Sequence, residues 1–177
     1  MAVIACLDVH YLDDSPRPEE RGGARAAVVA FATWDAAKPS EQHVVPIATV
    51  APYESGAFYK RELPCLLAAL AALSRVPEVA IVDGHVWLGE GRPGLGARLL
   101  EAEPRLRTVV GVAKTRFAGS TATPILRGSS STPLWVDEAG APVDAPKRIA
   151  EMHGPFRVPA MLRLVDQLCR NGTPITS

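Results

Sequence analysis

Residues 79–85, Val-Ala-Ile-Val-Asp-Gly-His, are the stretch that decides the fold. Its run of apolar residues without alternation is typical of a strand that is buried on both faces. Asp83 follows at the carboxyl end of that strand, where open α/β sheets bind their ligands. Gly84 allows a sharp turn of the backbone or the close approach of a ligand. The stretch therefore predicts a central strand with a functional carboxylate, against the alternative that Asp83-Gly84 is an ordinary turn.

The order of the other elements around this strand indicates the fold class. Three short strands with turn-rich spacing precede it, which is typical of an antiparallel meander. A strand that follows it after a helix should lie parallel to it. The order favours an α/β domain with a ribonuclease H-like mixed sheet, in which three antiparallel strands are followed by parallel strands and helices flank the sheet. The predicted strands are residues 2–11, 24–34, 43–50, 79–83 and 106–112, with a hairpin at 123–126 and 133–136 and a loop at 137–146.

Four helices are predicted from leucine spacing and breakers. Because proline is tolerated only in the first turn of a helix, Pro64 predicts that the first helix begins near Arg61 to Leu63 and ends near Leu73. The glycine-rich residues 89–96 enter a helix that ends near Glu103. The spacing of these glycines matches neither a P-loop nor a dinucleotide fingerprint. The last two helices are expected at residues 147–153 and 158–170.

Four carboxylates are placed where this fold could bring them together. Asp8 interrupts the first apolar strand, where an unpartnered charge is expensive. In the predicted sheet the first and fourth strands are neighbours, so Asp8 and Asp83 would repel each other and a divalent cation is their natural partner. Glu62 and Asp166 would complete an all-oxygen site that suits Mg²⁺ or Mn²⁺ rather than zinc. The alternatives are a frayed strand end at Asp8 and simple helix-end electrostatics at Glu62.

Composition indicates an ordinary globular chain. At 177 residues, with 47% hydrophobic and 21% charged residues, we expect one domain over residues 1–177. No apolar run approaches a membrane span, and the N-terminus lacks the basic region of a signal peptide. Three widely spaced cysteines favour a reducing cytoplasm over a disulfide frame or a zinc site. The sequence does not indicate an oligomeric state, and we expect a monomer.

The net charge is zero, but its distribution is uneven. Residues 1–91 hold 7 Lys and Arg against 12 Asp and Glu, whereas residues 92–177 hold 12 against 7. An acidic half that holds a metal and a basic half that meets phosphate would explain this distribution, and chance unevenness is the alternative.

Several stretches, in the right order over most of the chain, make the sequence resemble the endonuclease V family. They are Asp8 with its flanks, Pro52-Tyr53 with Gly56, Phe58 and Arg61-Glu62, Val82-Asp83-Gly84-His85, Gly94-Leu95-Gly96, and Val110-Gly111-Val112-Ala113-Lys114, with weaker matches at Pro133-Leu134-Trp135-Val136 and Arg157-Val158-Pro159 to Asp166. No single stretch decides the resemblance, but the ordered set is fairly specific.

This resemblance implies a metal-dependent endonuclease that acts near a hypoxanthine base in DNA. The family cleaves the second phosphodiester on the 3′ side of the base and leaves a 5′-phosphate. The resemblance implies that Asp8, Glu62 and Asp83 bind Mg²⁺ or Mn²⁺, that Asp166 completes the metal site, and that Lys114 acts near the scissile phosphate. It also implies a set of substrate-binding residues, with Tyr53 in a wedge that separates the strands: Tyr53, Gly56, Phe58, Gly84, His85, Leu95 and Phe117.

The sequence departs from the family pattern on the substrate side. The wedge, usually Pro-Tyr-Ile-Pro, reads Pro52-Tyr53-Glu54-Ser55 here, and Glu54 brings a negative charge towards a polyanion. Val86 replaces a glycine and could crowd the base pocket, and Gly89 stands where the family has a histidine. Two alternatives therefore stay open: a nuclease of the same class that acts on RNA or structured nucleic acid, and a non-catalytic nucleic-acid-binding or partner-binding module that retains the fold.

Overall fold

A seven-stranded mixed sheet forms the centre of the computed structural model, which describes residues 3–172. The strands are β1 (Ile4–Tyr11), β2 (Ala24–Phe31), β3 (Glu41–Ile47), β4 (Val79–Asp83), β5 (Thr108–Ala113), β6 (Thr123–Ile125) and β7 (Leu134–Gly140). The helices are α1 (Tyr59–Ala71), α2 (Leu95–Ala102), α3 (Ala145–Glu151) and α4 (Ala160–Asn171), with a short 3₁₀ turn at Pro18–Glu20. None of the helices within residues 3–172 has both the length and the apolar character that a membrane crossing needs.

The strand order confirms the predicted fold class. The order across the sheet is β3-β2-β1-β4-β5-β7-β6. The first three strands pair antiparallel, and β4 and β5 continue the sheet parallel to β1. Strand β7 pairs antiparallel with β5, and β6 pairs antiparallel with β7 at the edge of the sheet. Asp8 and Asp83 consequently follow paired residues of neighbouring strands, because Leu7 is the register partner of Val82.

Helices cover both faces of the sheet, and the alternation of the strands divides the core between them. Helices α1 and α2 pack on one face, where Leu7, Val28 and Val82 belong to the same cluster as Leu66 of α1. Helices α3 and α4 pack on the other face around Ile81. Since side chains alternate along a strand, Asp8 and Asp83 point to the α4 side of the sheet.

Helix α1 begins earlier than the sequence predicts. It starts at Tyr59 and carries Pro64 inside, so the predicted start near Arg61 to Leu63 is wrong. The first turn is wound tightly, because the N–H groups of Lys60 and Arg61 donate to carbonyls three residues back. Pro64 has no backbone N–H, so the helix lacks one intrahelical hydrogen bond at this residue. The packing of the helix against the sheet offsets that loss.

Strand β7 occupies part of the segment that was expected to be a loop. It continues from Leu134 to Gly140, so the prediction of a loop from residue 137 is wrong. The acidic pair Asp137 and Glu138 looks loop-like in the sequence, but both carboxylates accept hydrogen bonds from backbone N–H groups of neighbouring segments. These bonds allow charged residues to lie within a strand.

Glu41 connects the edge strand β3 to the end of α1. Its carboxylate accepts hydrogen bonds from the backbone N–H (2.8 Å) and the hydroxyl (2.7 Å) of Ser74, and lies 2.8 Å from Nε2 of His43. The Ser74 hydroxyl, followed by His43, lowers the pKa of Glu41 to about 2. Stability from this contact is therefore present above the ordinary carboxyl pKa and is lost as the pH falls from about 4.5 to about 2.

We expect Glu41→Gln to lower the free energy of unfolding at pH 7 by roughly 1 kcal/mol, since water screens a partly exposed carboxylate. The difference from the wild type should shrink below about pH 3, where the wild-type carboxyl is also becoming neutral. Urea unfolding, followed by circular dichroism at pH 7 and at a pH below about 3, measures this difference in the free energy of unfolding. The exposed Glu90→Gln is the control. A difference that is the same at both pH values would contradict the assigned pKa.

Candidate active site

Asp8 and Asp83 lie on neighbouring strands at the carboxyl end of β4, as predicted. Both line a cavity of about 370 Å³, here called the carboxylate cavity, together with Asp166 of α4 and Lys114. The cavity also has an apolar wall formed by Val112, Leu134, Val158 and Leu162. The sheet thus brings together three carboxylates and one amine that are far apart in the sequence.

The Asp8 carboxylate lies in a mostly buried and electrostatically unfavourable position. Burial, together with the negative charges of Asp83 and Asp166, raises its pKa to about 6. A hydrogen bond of 2.8 Å from the Val9 N–H to Oδ1 acts in the opposite direction and orients the carboxylate. Asp8 is therefore a charge in need of a cationic partner rather than a frayed strand end.

Glu62 approaches the same point from the first turn of α1. Burial is the main cause that raises its pKa to about 8, and the charges of Asp8 and Asp83 add to the effect. A carboxylate that only complements a helix N-terminus would have its charged form stabilised. Burial, to which the repulsion from Asp8 and Asp83 adds, therefore outweighs that stabilisation and raises the pKa of Glu62.

Lys114 pairs with Asp83 across the ends of β5 and β4. Its Nζ lies 3.1 Å from Oδ2 of Asp83, and both side chains are partly exposed. The carbonyl of Lys114 accepts a hydrogen bond of 2.6 Å from Arg157, whose same nitrogen also donates to the carbonyl of Pro133 (2.7 Å). Arg157 thereby holds the backbone that carries Lys114, a role that the sequence analysis missed.

Asp166 completes the group on the side of α4. Ligand atoms of Asp8, Asp166 and Cys169 all lie within 4.8 Å of one another. Arg170, one turn later, donates a hydrogen bond of 2.8 Å from Nε to Asp166. Burial, followed by the charges of Asp8 and Asp166, raises the pKa of the Cys169 thiol, so the thiol is protonated in the metal-free protein.

The residues that could hold a hard divalent cation are Asp8, Glu62, Asp83 and Asp166, because carboxylate oxygens are the ligands that Mg²⁺ and Mn²⁺ prefer. Ligand atoms of Asp8 and Asp166 lie within 4.8 Å of each other, whereas those of Asp83 and Glu62 stand outside this tight group. Burial is the main cause that raises the pKa values of Asp8 and Glu62, and the charges of neighbouring carboxylates add to it. A cation would relieve the repulsion between these carboxylates.

A second cavity of about 580 Å³, here called the glycine-rich cavity, lies beside the carboxylates on the side of α1 and α2. Glu62 and Asp83 line it as well. Six of the seven residues predicted to bind substrate also line it: Gly56, Phe58, Gly84, His85, Leu95 and Phe117. The structure thus brings together residues from four separate stretches of the sequence.

Tyr53 is the one predicted substrate residue that does not line this cavity. Its side chain is 67% exposed, and its ring centroid lies 6.3 Å from that of Phe58 at the rim. The exposure excludes a role in the hydrophobic core. Glu54 beside it is paired with Lys60, whose Nζ lies 3.1 Å from both carboxylate oxygens, so its negative charge has a partner.

His85 links the loop after β4 to the loop after β5. Its Nε2 lies 3.1 Å from the Thr115 carbonyl oxygen and 3.3 Å from the Phe117 backbone nitrogen, and its Nδ1 lies 3.3 Å from the hydroxyl of Ser120. Its ring is tilted against that of Phe117, with centroids 6.3 Å apart. His85 therefore positions Phe117 at the edge of the glycine-rich cavity.

Asp137 is a supporting residue that the sequence analysis placed in a loop. Its carboxylate accepts hydrogen bonds from the N–H groups of Val86 and Trp87, each 3.0 Å long. A Cβ atom at Gly111 would come within 2.5 Å of this carboxylate and of the Gly84 carbonyl. Asp137 and Gly111 together hold the loop that follows Asp83 against the sheet.

Comparison with known proteins agrees with this geometry. A sequence profile described as endonuclease V matches residues 1–153. The chain belongs to the endonuclease V family. Endonuclease V of Xanthomonas oryzae pv. oryzae is 35% identical over 69% of this chain and 48% of its own length, and that of Xylella fastidiosa is 38% identical over 69% and 47%. The chain thus aligns with about half the length of the curated relatives it matches.

Solved structures of the family share the fold. Endonuclease V of Streptomyces avermitilis has a TM-score of 0.73 and 25% identity, with 97% of this chain and 81% of that chain covered. Human endonuclease V has a TM-score of 0.75 and 22% identity over 97% and 84% of the two chains. The Ciona intestinalis enzyme, solved with a 23-mer DNA containing an inosine followed by a ribo-adenosine, has a TM-score of 0.75 and 16% identity over 97% and 85%.

One departure from the endonuclease V pattern has a different effect from the one expected. Val86 was expected to crowd the base pocket, but its side chain is fully buried in the core cluster under α1 and α2. It lies 2.7 Å from the position of a Cβ atom at Gly96 and does not line the glycine-rich cavity. The expectation about Val86 is wrong because the hydrogen bonds of Asp137 turn this residue inward.

We expect Glu62→Gln to stabilise the metal-free protein at pH 8 by roughly 1–2 kcal/mol, because it removes a buried charge. A carboxyl group whose pKa is raised in the folded state favours folding at low pH and loses that contribution as the pH rises from about 4.5 to about 8. Thermal unfolding in EDTA at pH 4.5 and pH 8 measures the difference.

The gain should be small at pH 4.5, and Mg²⁺ should stabilise the wild type more than the variant at pH 8. Glu101→Gln, an exposed position on α2, is the matched control. A gain that does not depend on pH would contradict the electrostatic account of Glu62.

Proposed function

We propose that the protein is a metal-dependent endonuclease that hydrolyses a phosphodiester bond 3′ to a deaminated base, hypoxanthine, in DNA. The observation that carries this proposal is the position of Asp83, which lines both the carboxylate cavity and the glycine-rich cavity. One cavity offers acidic oxygens for a cation, and the other offers space and backbone groups for a base. A strand that crosses Asp83 could therefore hold a base and a phosphate at the same time.

The family relationship supports the choice of substrate. The inosine-containing DNA in the Ciona intestinalis structure belongs to a relative with the same fold. We propose the same class of substrate here, with the cut at the second phosphodiester on the 3′ side and a 5′-phosphate product. The free and buried state of Cys6, Cys65 and Cys169 favours the reducing cytoplasm as the place of the reaction.

Asp8, Glu62, Asp83 and Asp166 would hold Mg²⁺ or Mn²⁺. When bound, such a cation makes hydroxide available near neutral pH and stabilises the attacking and leaving oxygens. The protein positions the ligands: pairing of β1 with β4 aligns two carboxylates, the Val9 N–H orients Asp8, and Arg170 orients Asp166.

Lys114 would stabilise negative charge near the scissile phosphate or position the attacking water. Its amine is close to the carboxylates, and its backbone is held in place by Arg157. An ammonium group that is already oriented needs little reorganisation when charge develops on the phosphate. If phosphate oxygens replaced the Asp83 carboxylate as its partner, the Lys114 amine would stay paired with a negative charge during the reaction.

The glycine-rich cavity would receive the extruded base. Hypoxanthine pairs more weakly than a normal base, so its extrusion requires less energy. Gly84, with a φ of +127°, and Gly56, with a φ of +78°, leave their surroundings open, since a Cβ atom at either position would meet no atom within 4 Å. Phe58, Leu95 and Phe117 supply apolar surface for the faces of the base.

A nuclease of the same class that acts on RNA or structured nucleic acid is the second candidate. The observation that favours it is Glu54, 60% exposed beside Tyr53, where the family pattern has an apolar residue. A duplex-separating wedge profits from apolar contact with bases, whereas a substrate that is already single-stranded has less need of one. Single-stranded and RNA substrates therefore belong in the first experiment.

We expect cleavage of inosine-containing oligonucleotides with Mg²⁺ and no cleavage in EDTA. Asp83→Asn should lower the rate by about 100-fold or more, because loss of one carboxylate weakens the metal site. Denaturing electrophoresis of labelled inosine and undamaged DNA and RNA measures both effects. Asp35→Asn, exposed beside the cavity at the opposite end of the sheet, should leave the rate unchanged. Near wild-type activity of the Asp83 variant would refute the metal role.

We expect Tyr53→Ala to weaken cleavage of duplex DNA by about tenfold or more, because stacking of a base on an aromatic ring is worth roughly 1–3 kcal/mol. Single-stranded substrates need no strand separation and should lose less. Single-turnover rates on matched single- and double-stranded inosine substrates separate the two effects, with Tyr53→Phe as control. Equal losses on both substrates would leave the wedge role without support.

A further inference from the structure

Arg98 is a charged group of the glycine-rich cavity to which neither the resemblance nor the proposed mechanism gives a role. It lies in the first turn of α2, where its backbone N–H donates to the Gly94 carbonyl (3.2 Å). Arg98 lines the cavity together with Arg92, and Glu62 and Asp83 line it as well. The lining therefore carries both acidic and cationic groups.

The guanidinium of Arg98 is held in place by stacking rather than by an ion pair. Its Cζ atom lies 3.8 Å from the centroid of the Tyr59 ring, which also lines the cavity. The Nε atom is buried and has no hydrogen-bond partner within residues 3–172. Because this Nε–H is buried, the N–H groups that a ligand in the cavity could reach are those of the two terminal nitrogens.

Stacking also determines which direction the donors face. A guanidinium that lies flat over an aromatic ring uses its face for that contact, so its N–H groups point outward in the plane. Two N–H groups in a rigid fork match a pair of acceptors on one edge of a purine. The O6 and N7 atoms of a 6-oxopurine form such a pair, and this is the most common specific contact of arginine with a base.

We propose that Arg98 is a specificity-determining residue that donates hydrogen bonds to O6 and N7 of a 6-oxopurine in the glycine-rich cavity. This inference rests on the proposed function and adds a residue that reads the base. Adenine presents an amino donor in place of O6 and would meet Arg98 with two donors facing each other. Uracil has no N7 and would leave one N–H of the fork without a partner.

The experiment changes the base and the residue together. Single-stranded oligonucleotides that differ in one nucleotide carry deoxyinosine, 7-deaza-deoxyinosine (N7 replaced by C–H) or an abasic site. The variants are Arg98→Ala, Arg98→Gln and Arg98→Lys, the last of which keeps the charge and loses the fork. Arg75→Ala, an exposed arginine elsewhere on the surface, is the matched control.

Single-turnover cleavage with Mg²⁺ should be about tenfold slower for the wild type on 7-deaza-deoxyinosine than on deoxyinosine, a typical loss for a bidentate contact. Arg98→Ala should be slower on deoxyinosine by a similar factor and show no further loss on the 7-deaza base. Arg98→Gln and Arg98→Lys should not restore the preference, whereas Arg75→Ala should keep it. Melting temperatures verify that each variant is folded.

Several outcomes would overturn the role of Arg98. An equal loss of the Arg98→Ala variant on all three oligonucleotides would indicate a phosphate contact or a structural role. A preference for N7 that survives in Arg98→Ala, or a wild type without any preference, would assign base reading to other groups.

A binding measurement separates this inference from the proposed function. Fluorescence anisotropy in EDTA measures binding of the same oligonucleotides without cleavage. If the wild type cleaves no inosine substrate but binds deoxyinosine more tightly than the 7-deaza base through Arg98, the endonuclease proposal fails and the role of Arg98 stands. If it binds both equally, the role of Arg98 fails as well.

Discussion

The parallel pairing of β1 with β4 is the constraint on which the rest of the site depends. It puts two carboxylates at the same level of adjacent strands, where they repel each other. Burial, together with this repulsion, raises the pKa values of Asp8 and Glu62. Neighbouring elements supply positive charges that offset part of this repulsion. Lys114 reaches Asp83 from the next strand, and Arg170 reaches Asp166 from the covering helix. The fold thus holds an unfavourable concentration of negative charge, which a divalent cation would neutralise.

The sheet and the carboxylates could be predicted from the sequence because their signals are local. Val79 to Val82 form an uninterrupted apolar run, and such a run followed by Asp83 indicates a buried strand that ends in a polar group. The position of Asp8 beside Asp83 followed from the strand order alone, and the structure has that order. Of the six cavity residues, Gly84 was indicated by its place after the buried strand, and the other five were found through the family resemblance.

The remaining features depend on contacts between distant segments, which leave no local signal. Asp137 looks like a loop residue until the loop at Val86 and Trp87 supplies its hydrogen-bond donors. Arg157 gains its role from the carbonyl of Lys114, 43 positions earlier in the chain. Arg98 looks like an ordinary solvent-facing helix residue until Tyr59 is packed beneath it. The early start of α1 was missed because a rule about proline was applied without the packing that offsets it.

Helix α4 shows that the folded core extends beyond the residues matched by the endonuclease V profile. The endonuclease V profile stops at residue 153, but α4 covers β1 and β2 with Met161, Val165 and Leu168. Arg25 of β2 donates to the carbonyls of Cys169 and Arg170, which ties the end of this helix to the sheet. Residues 154–171 are consequently part of the folding unit. A chain cut at residue 153 would expose one face of its core and lose Asp166 at once.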